Sequence, residues 1–142
     1  WTNAPFLVRA DNGNAVTESD LNANGSSQRF VAWNEAAGAP VVYDPSAGNF
    51  ATQLSRPALS GEYQIKTKDR DEILCRPIFA ALAKLAARYR PEASAAITYV
   101  PAVKVRQAAR LLAENRPLSM YMYNGVGQHT NPPQTNRAIA VP

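Results

Sequence analysis

The chain has 142 residues, 46% of them apolar and 18% charged, and a formal net charge of +4. That length fits one domain or two small subdomains, and the composition excludes a coiled coil, a collagen-like repeat and whole-chain disorder. The longest charge-free stretch, between Arg116 and Arg137, is rich in Tyr, Asn, Gln, Thr and Pro, so it is no bilayer span, which takes about 20 mainly apolar residues.

In chain order, Phe6-Leu7-Val8 is a short β-type run, followed by turn chemistry at Asp11-Asn12-Gly13-Asn14 and at Asn22-Ala23-Asn24-Gly25. Arg29 to Trp33 and Pro40 to Tyr43 flank a short Gly38-containing loop, which predicts an antiparallel hairpin. Residues 44–62, punctuated by Pro45, Gly48, Pro57 and Gly61, read as irregular connection, and Glu62 to Lys66 as an edge strand. Glu18, Asp20, Asp69, Asp71 and Glu72 fall on expected loops, without metal-loop spacing.

At Pro77 the character changes. Ile78, Phe79, Leu82, Leu85, Ala86 and Tyr89 recur at helical spacing behind a Pro suited to a first turn. Pro91 to Ile97 predicts a second helix. A third starts at Pro101, with Val105, Ala108, Ala109 and Leu112 on one stripe. Leu118 to Tyr123 reads as a strand, Asn124 to Asn131 as a Gly-containing loop, and Pro132-Pro133 as the opening of another helix. Helix, strand, loop, helix is α/β grammar, and with the hairpin-bearing first half it makes the chain α+β overall. The expected division is 1–75, loop-rich with the hairpin, and 76–142, helical.

Charge follows the same division. Residues 1–75 hold 6 Lys/Arg against 9 Asp/Glu, a balance of −3; residues 76–142 hold 9 against 2, a balance of +7. The basic half favours an anionic partner such as a phosphate or nucleotide, or is a solvated face neutralised by acidic neighbours. It lacks the basic–aromatic interleaving of a stacking platform, so no nucleic-acid partner is expected.

Ligands of α/β sheets gather at the carboxyl ends of strands, and the loop at 124–131 leaves such an end. Gly125 and Gly127 allow positive φ and close backbone approach, while Thr130 or Asn131 can cap the next helix. Gln128, His129, Asn131 and Gln134 supply side-chain donors and acceptors. Pro132 and Pro133 bring no amide N–H, which weakens an anion site there. A tight turn with a surface His accounts for the loop equally well. His129 and Cys75 are the only residues of their kinds, so no multi-His or multi-Cys metal site and no disulfide framework lies within the chain. Cys75, beside Ile73 and Leu74, reads as a packing residue. No catalytic residue and no metal ligand is assigned.

The run Tyr89-Arg90-Pro91-Glu92-Ala93-Ser94-Ala95-Ala96-Ile97-Thr98-Tyr99-Val100-Pro101-Ala102 resembles a segment of the large molybdopterin-dependent oxidoreductases, the dimethyl-sulfoxide-reductase superfamily. There the pattern runs Tyr-x-Pro-Glu, small residues, Ile-Thr-Gly-Val-Pro and a helix containing Ala-Arg, here Ala109-Arg110. Asn124 to Asn131 with Arg137-Ala138-Ile139 resembles the family's next strand-to-helix turn, and Thr2 to Arg9 and Arg56 to Gly61 its linker segments. Tyr99 stands where the family has Gly, so that turn must take another conformation or tolerate strain. The Pro132-Pro133 pair and Pro142 also depart from the pattern.

The resemblance implies a Rossmann-like molybdopterin-binding domain and an enzyme carrying molybdenum or tungsten on two pterin guanine dinucleotides, bis(molybdopterin guanine dinucleotide). It implies an iron–sulfur cluster outside this segment, the rest of a catalytic subunit as the immediate partner, electron-transfer subunits beyond it, and no membrane segment. It makes Asn124, Gly125, Gly127, Gln128, His129, Thr130 and Asn131 cofactor contacts. The Trp1 start and an amphipathic pattern cut at Arg137 to Pro142 fit a piece of a longer polypeptide. The competing expectation is a non-catalytic α/β module that binds a nucleotide or a partner protein through its basic half.

Overall fold

The computed structural model of the chain describes residues 2–117, 119–128 and 130–139. Two compact units divide after Arg90, so the helix opened at Pro77 belongs with the strands that precede it. The chain is α+β, with antiparallel sheets in the first unit and helices in both.

The first unit holds β1 (Leu7–Arg9), α1 (Glu18–Leu21), β2 (Phe30–Asn34), β3 (Ala39–Asp44), β4 (Asn49–Phe50), β5 (Tyr63–Lys66), β6 (Glu72–Pro77) and α2 (Ile78–Ala86). Its strands form two three-stranded sheets, ordered β1-β6-β5 and β2-β3-β4, every pair antiparallel. Isolated bridges such as Phe6 to Ala32 and Thr17 to Phe30 stitch the sheets together.

Side-chain alternation along the strands builds two small cores. Leu7 and Val31 join Val16, Ile65, Ile73 and Cys75 in one cluster. Their chain neighbours Phe6 and Ala32 join Tyr43 in the other. Phe6 stacks on Phe30 at 5.3 Å between centroids, and Trp33 stacks on Tyr63 at 4.7 Å. The expected hairpin forms in register, Phe30 opposite Tyr43 and Asn34 opposite Ala39. Gly38 turns it at φ 62°. Buried Asn34 is satisfied twice, donating from Nδ2 to the Gln53 carbonyl and accepting the Ala36 amide at Oδ1.

Three elements depart from the sequence reading. β4 arises inside the expected irregular connection. Glu72 lies on β6, a central strand between β1 and β5, rather than on a loop; Glu18 and Asp20 lie on α1, where the Asp20 carboxylate accepts the Thr17 amide at 2.8 Å.

The second unit is helical: α3 (Pro91–Thr98), α4 (Ala102–Glu114), α5 (Asn124–Gly127) and α6 (Pro132–Ile139). Arg106 pairs with Glu92 across α3 and α4. None of its described residues is buried. The strand expected at 118–123 does not form among the described residues 119–123, which carry no ladder; a strand exists only where a neighbour accepts its backbone bonds, and every strand among the described residues lies in the first unit. Leu118 lies outside the described residues. No helix of the described residues is long and apolar enough to cross a membrane.

Tyr99 resolves the question its position raises: it ends α3 at φ 59°, in the left-handed region, with its ring 90% exposed. A side chain there costs about 1–2 kcal/mol that glycine avoids. Tyr99→Gly should therefore stabilise the α3–α4 pair by about 1 kcal/mol, read as slower amide exchange in α4; unchanged or faster exchange would refute the strain.

Candidate functional site

The residues singled out at 124–131 sit where α5 hands over to α6. Three local bonds shape α5: the Val126 and Gly127 amides donate to the Tyr123 carbonyl at 3.0 and 3.3 Å, and the Gln128 amide to that of Asn124 at 3.0 Å. The expected open loop is therefore partly helical. Gly125 and Gly127 do not use the positive φ that is open to them, because a helical turn satisfies the backbone without it. A Cβ built on either meets nothing within 4 Å, so both backbones are open to solvent.

Asn131 caps α6 through its main chain, its carbonyl accepting the Thr135 amide at 3.3 Å and the Thr135 hydroxyl at 3.1 Å. Pro132 and Pro133 then occupy the first helical positions, leaving Gln134 to offer the first amide of the turn. Asn124, Gln128, Thr130 and Asn131 are exposed and neutral; His129 lies outside the described residues. The set is a line of amide and hydroxyl groups on an open backbone, able to donate to and accept from a polar heterocycle or phosphate oxygens. That chemistry fits a pterin dinucleotide.

Elsewhere, the first unit carries an aromatic-floored cleft of about 500 Å³, lined by Phe6, Tyr43, Phe50, Leu54 and Pro57 among others. A smaller polar cleft of about 320 Å³ is lined by Arg29, which is bound to Glu18 at 3.3 Å and to Asp44 at 2.8 Å. The Ser46 amide, more than the Arg29 guanidinium, holds the Asp44 carboxyl below its usual range. Among the described residues no group of three or more His, Cys, Asp and Glu side chains is placed to hold a metal ion.

Cys75 is a core residue, as its apolar neighbours led one to expect. It is fully buried, and burial pushes its thiol up to about 11 from 9.0, so it is no nucleophile at neutral pH. Because the folded state favours the protonated thiol, this contribution is complete below pH 9 and is lost as the pH rises to about 11. The stability difference between the chain and its Cys75→Ala variant should shrink over that interval by roughly 3 kcal/mol at most, measured by urea melts at each pH. A constant difference would show that the thiol ionises as freely folded as unfolded.

No family model matches the chain. Among curated proteins, it is 31% identical to the dimethylsulfide dehydrogenase alpha subunit of Rhodovulum sulfidophilum, over 99% of this chain and 15% of that protein. It is 30% identical to the perchlorate reductase alpha subunit of Dechloromonas aromatica, over 90% of this chain and 16% of that protein. It is 36% identical to the chlorate reductase alpha subunit of Ideonella dechloratans, over 82% and 13%. The chain thus spans about one-seventh of the length of the relatives it matches. Aligned along nearly its whole length with one stretch of these alpha subunits, the chain belongs to the molybdopterin-dependent oxidoreductases of the dimethyl-sulfoxide-reductase superfamily.

Proposed function

We propose that this chain is a section of an oxidoreductase catalytic subunit and that residues 124–131 help hold its molybdopterin guanine dinucleotide. The observation that carries the reading is the open backbone at Gly125 and Gly127, flanked by exposed neutral donors, in a chain collinear with oxidoreductase alpha subunits. Gly125 and Gly127 admit the ligand to main-chain distance. Asn124, Gln128, Thr130 and Asn131, with His129, donate to and accept from the pterin and phosphate oxygens. The positive balance of residues 76–142 eases burial of the dinucleotide charge. When bound, the molybdenum or tungsten centre supplies two-electron redox or oxygen-atom transfer; these residues supply position and field. Iron–sulfur clusters and electron-transfer subunits belong to the same proposal as parts outside this chain.

The test uses the longer subunit. Gly125→Ala and Gly127→Ala add one methyl each where the chain itself offers no obstacle, so the fold should hold. Pterin content, read by fluorescence after oxidative release, should fall at least about tenfold, equivalent to 1.4 kcal/mol. Unchanged pterin and metal content in both variants would remove this stretch from the site.

A further inference from the structure

Residues 51–62 belong to no helix or named strand, yet they are fastened to β2, β3 and the turn between them at four points. The Ala51 amide donates to the Val42 carbonyl at 2.8 Å, the Glu35 amide to the Arg56 carbonyl at 2.9 Å and the Ala58 amide to the Trp33 carbonyl at 3.0 Å. The fourth tie runs from Asn34 Nδ2 to the Gln53 carbonyl at 3.3 Å, and Asn34 is the buried polar side chain of the first unit. Burying an amide is costly unless its bonds are made, and a loop tied down in this way keeps its shape with nothing bound to it. It forms one wall of the aromatic-floored cleft. On the floor, Phe6, Tyr43 and Phe50 lie 5.0 to 6.4 Å from one another between centroids, with planes inclined at 41° to 66°. Rings tilted so offer both faces and edges to a further ring. Asn49, Thr52 and Gln53 line the cleft from its exposed side, and among the described residues no lining side chain is charged.

We infer that this cleft binds an uncharged aromatic molecule of one or two rings that carries a hydroxyl or ring N–H group. Its volume of about 500 Å³ falls within the range of roughly 300–1,000 Å³ that small-molecule sites occupy. An ion entering it would give up hydration with no opposite charge to meet it. A flat neutral ring instead gains the floor, while the amides of Asn49 and Gln53 and the Thr52 hydroxyl donate to and accept from a polar group left at the mouth. The site lies in the first unit and shares no residue with 124–131, so it does not depend on the cofactor reading.

Calorimetric titration of the 142-residue chain and of the longer subunit with β-naphthol tests it, with β-naphthoate as the charged probe of the same ring system. β-Naphthol should bind saturably to both proteins, at one site per chain, and β-naphthoate at least about 10-fold more weakly. Gln53→Trp sets a large ring at the exposed mouth and keeps the main-chain tie to Asn34. It should leave the urea midpoint unchanged and weaken β-naphthol binding at least about 10-fold. Phe50→Ala should weaken it by a similar factor through loss of the floor; if that variant loses β4 and unfolds, Gln53→Trp alone decides. No saturable binding, equal affinity for the two probes, or undiminished binding in folded Gln53→Trp would each overturn the inference. Binding by the chain that the subunit lacks would overturn it too, since the cleft would then be covered by another part of the subunit.

Discussion

Leu7→Ala should destabilise the first unit by about 3 kcal/mol. Leu7 is fully buried on β1 and touches the cluster of Val16, Val31, Ile65, Ile73 and Cys75. Removing its isopropyl group loses the transfer free energy of the atoms and leaves a void that strands fixed by backbone ladders cannot close, the situation in which Leu→Ala changes fall between roughly 2.7 and 5 kcal/mol. Leu7 faces Pro77 in the β1–β6 register, and its carbonyl accepts the Val16 amide at 2.9 Å, so main-chain bonds on both sides resist collapse. A unit of this size holds on the order of 5–13 kcal/mol in all. The melting temperature should therefore drop by roughly 12–24 °C, followed by near-ultraviolet circular dichroism of the Trp33–Tyr63 stack. Leu59, 43% exposed, is the control: Leu59→Ala should stay within about 0.5 kcal/mol. Equal effects at the two leucines would mean that the cluster around Leu7 is not the core.

The elements legible in the sequence are those whose cause is local. The β2–β3 hairpin is specified by two β-prone runs and a Gly38 turn close together in the chain. The helices α2 and α4 are specified by apolar spacing behind Pro77 and Pro101, and α3 and α6 by the prolines that open them, Pro91 and Pro132-Pro133. β6 is different. Its inward residues Ile73, Cys75 and Pro77 do alternate, but Leu74 points outward, 43% exposed, and charges precede the run. Its strand character comes from Leu7–Arg9 and Tyr63–Lys66 on either side, and Leu7–Arg9 is far off in sequence. Residues 119–123 show the converse: strand propensity is present and no partner is at hand.

The candidate site divides the same way. Residue types at 124–131 disclose donors, acceptors and small residues, and the turn's position before a Pro-initiated helix was readable. Its conformation was not. Tyr123 and Asn124 carbonyls draw the following amides into a helical turn, and Gly125 and Gly127 take no positive φ. At Tyr99 the resemblance to a Gly-bearing pattern left two outcomes, another conformation or strain, and the structure shows the left-handed backbone; composition and spacing alone would not have raised the question.

Gly25→Ala should be the most damaging small change in the chain. A Cβ there would lie 2.3 Å from the Glu18 carbonyl oxygen, 2.5 Å from its carbon and 2.8 Å from the Ser19 nitrogen. All three are backbone atoms of α1, so no rotamer change relieves the clash, and either the turn or the helix must move. Both are committed elsewhere. The Glu18 amide donates to the Arg29 carbonyl at 2.9 Å, and the Glu18 carboxylate accepts the Ser26 amide at 3.1 Å and the Arg29 guanidinium at 3.3 Å. Arg29 in turn binds Asp44 on β3, so a shift in α1 strains the contact between helix and sheet. Overpacking of this kind costs about 1–3 kcal/mol even where side chains can yield; against backbone, about 3 kcal/mol or more is expected, read as a fall in the urea midpoint at constant slope. Gly13, Gly38 and Gly48 separate this clash from a generic loss of glycine. Each has positive φ but open space around an added methyl, so alanine there should cost only the backbone penalty of about 1 kcal/mol. Gly125→Ala, with neither a positive φ nor a neighbour, should leave the melt unchanged. A Gly25→Ala chain as stable as Gly125→Ala would mean that the turn after α1 is not seated against Glu18.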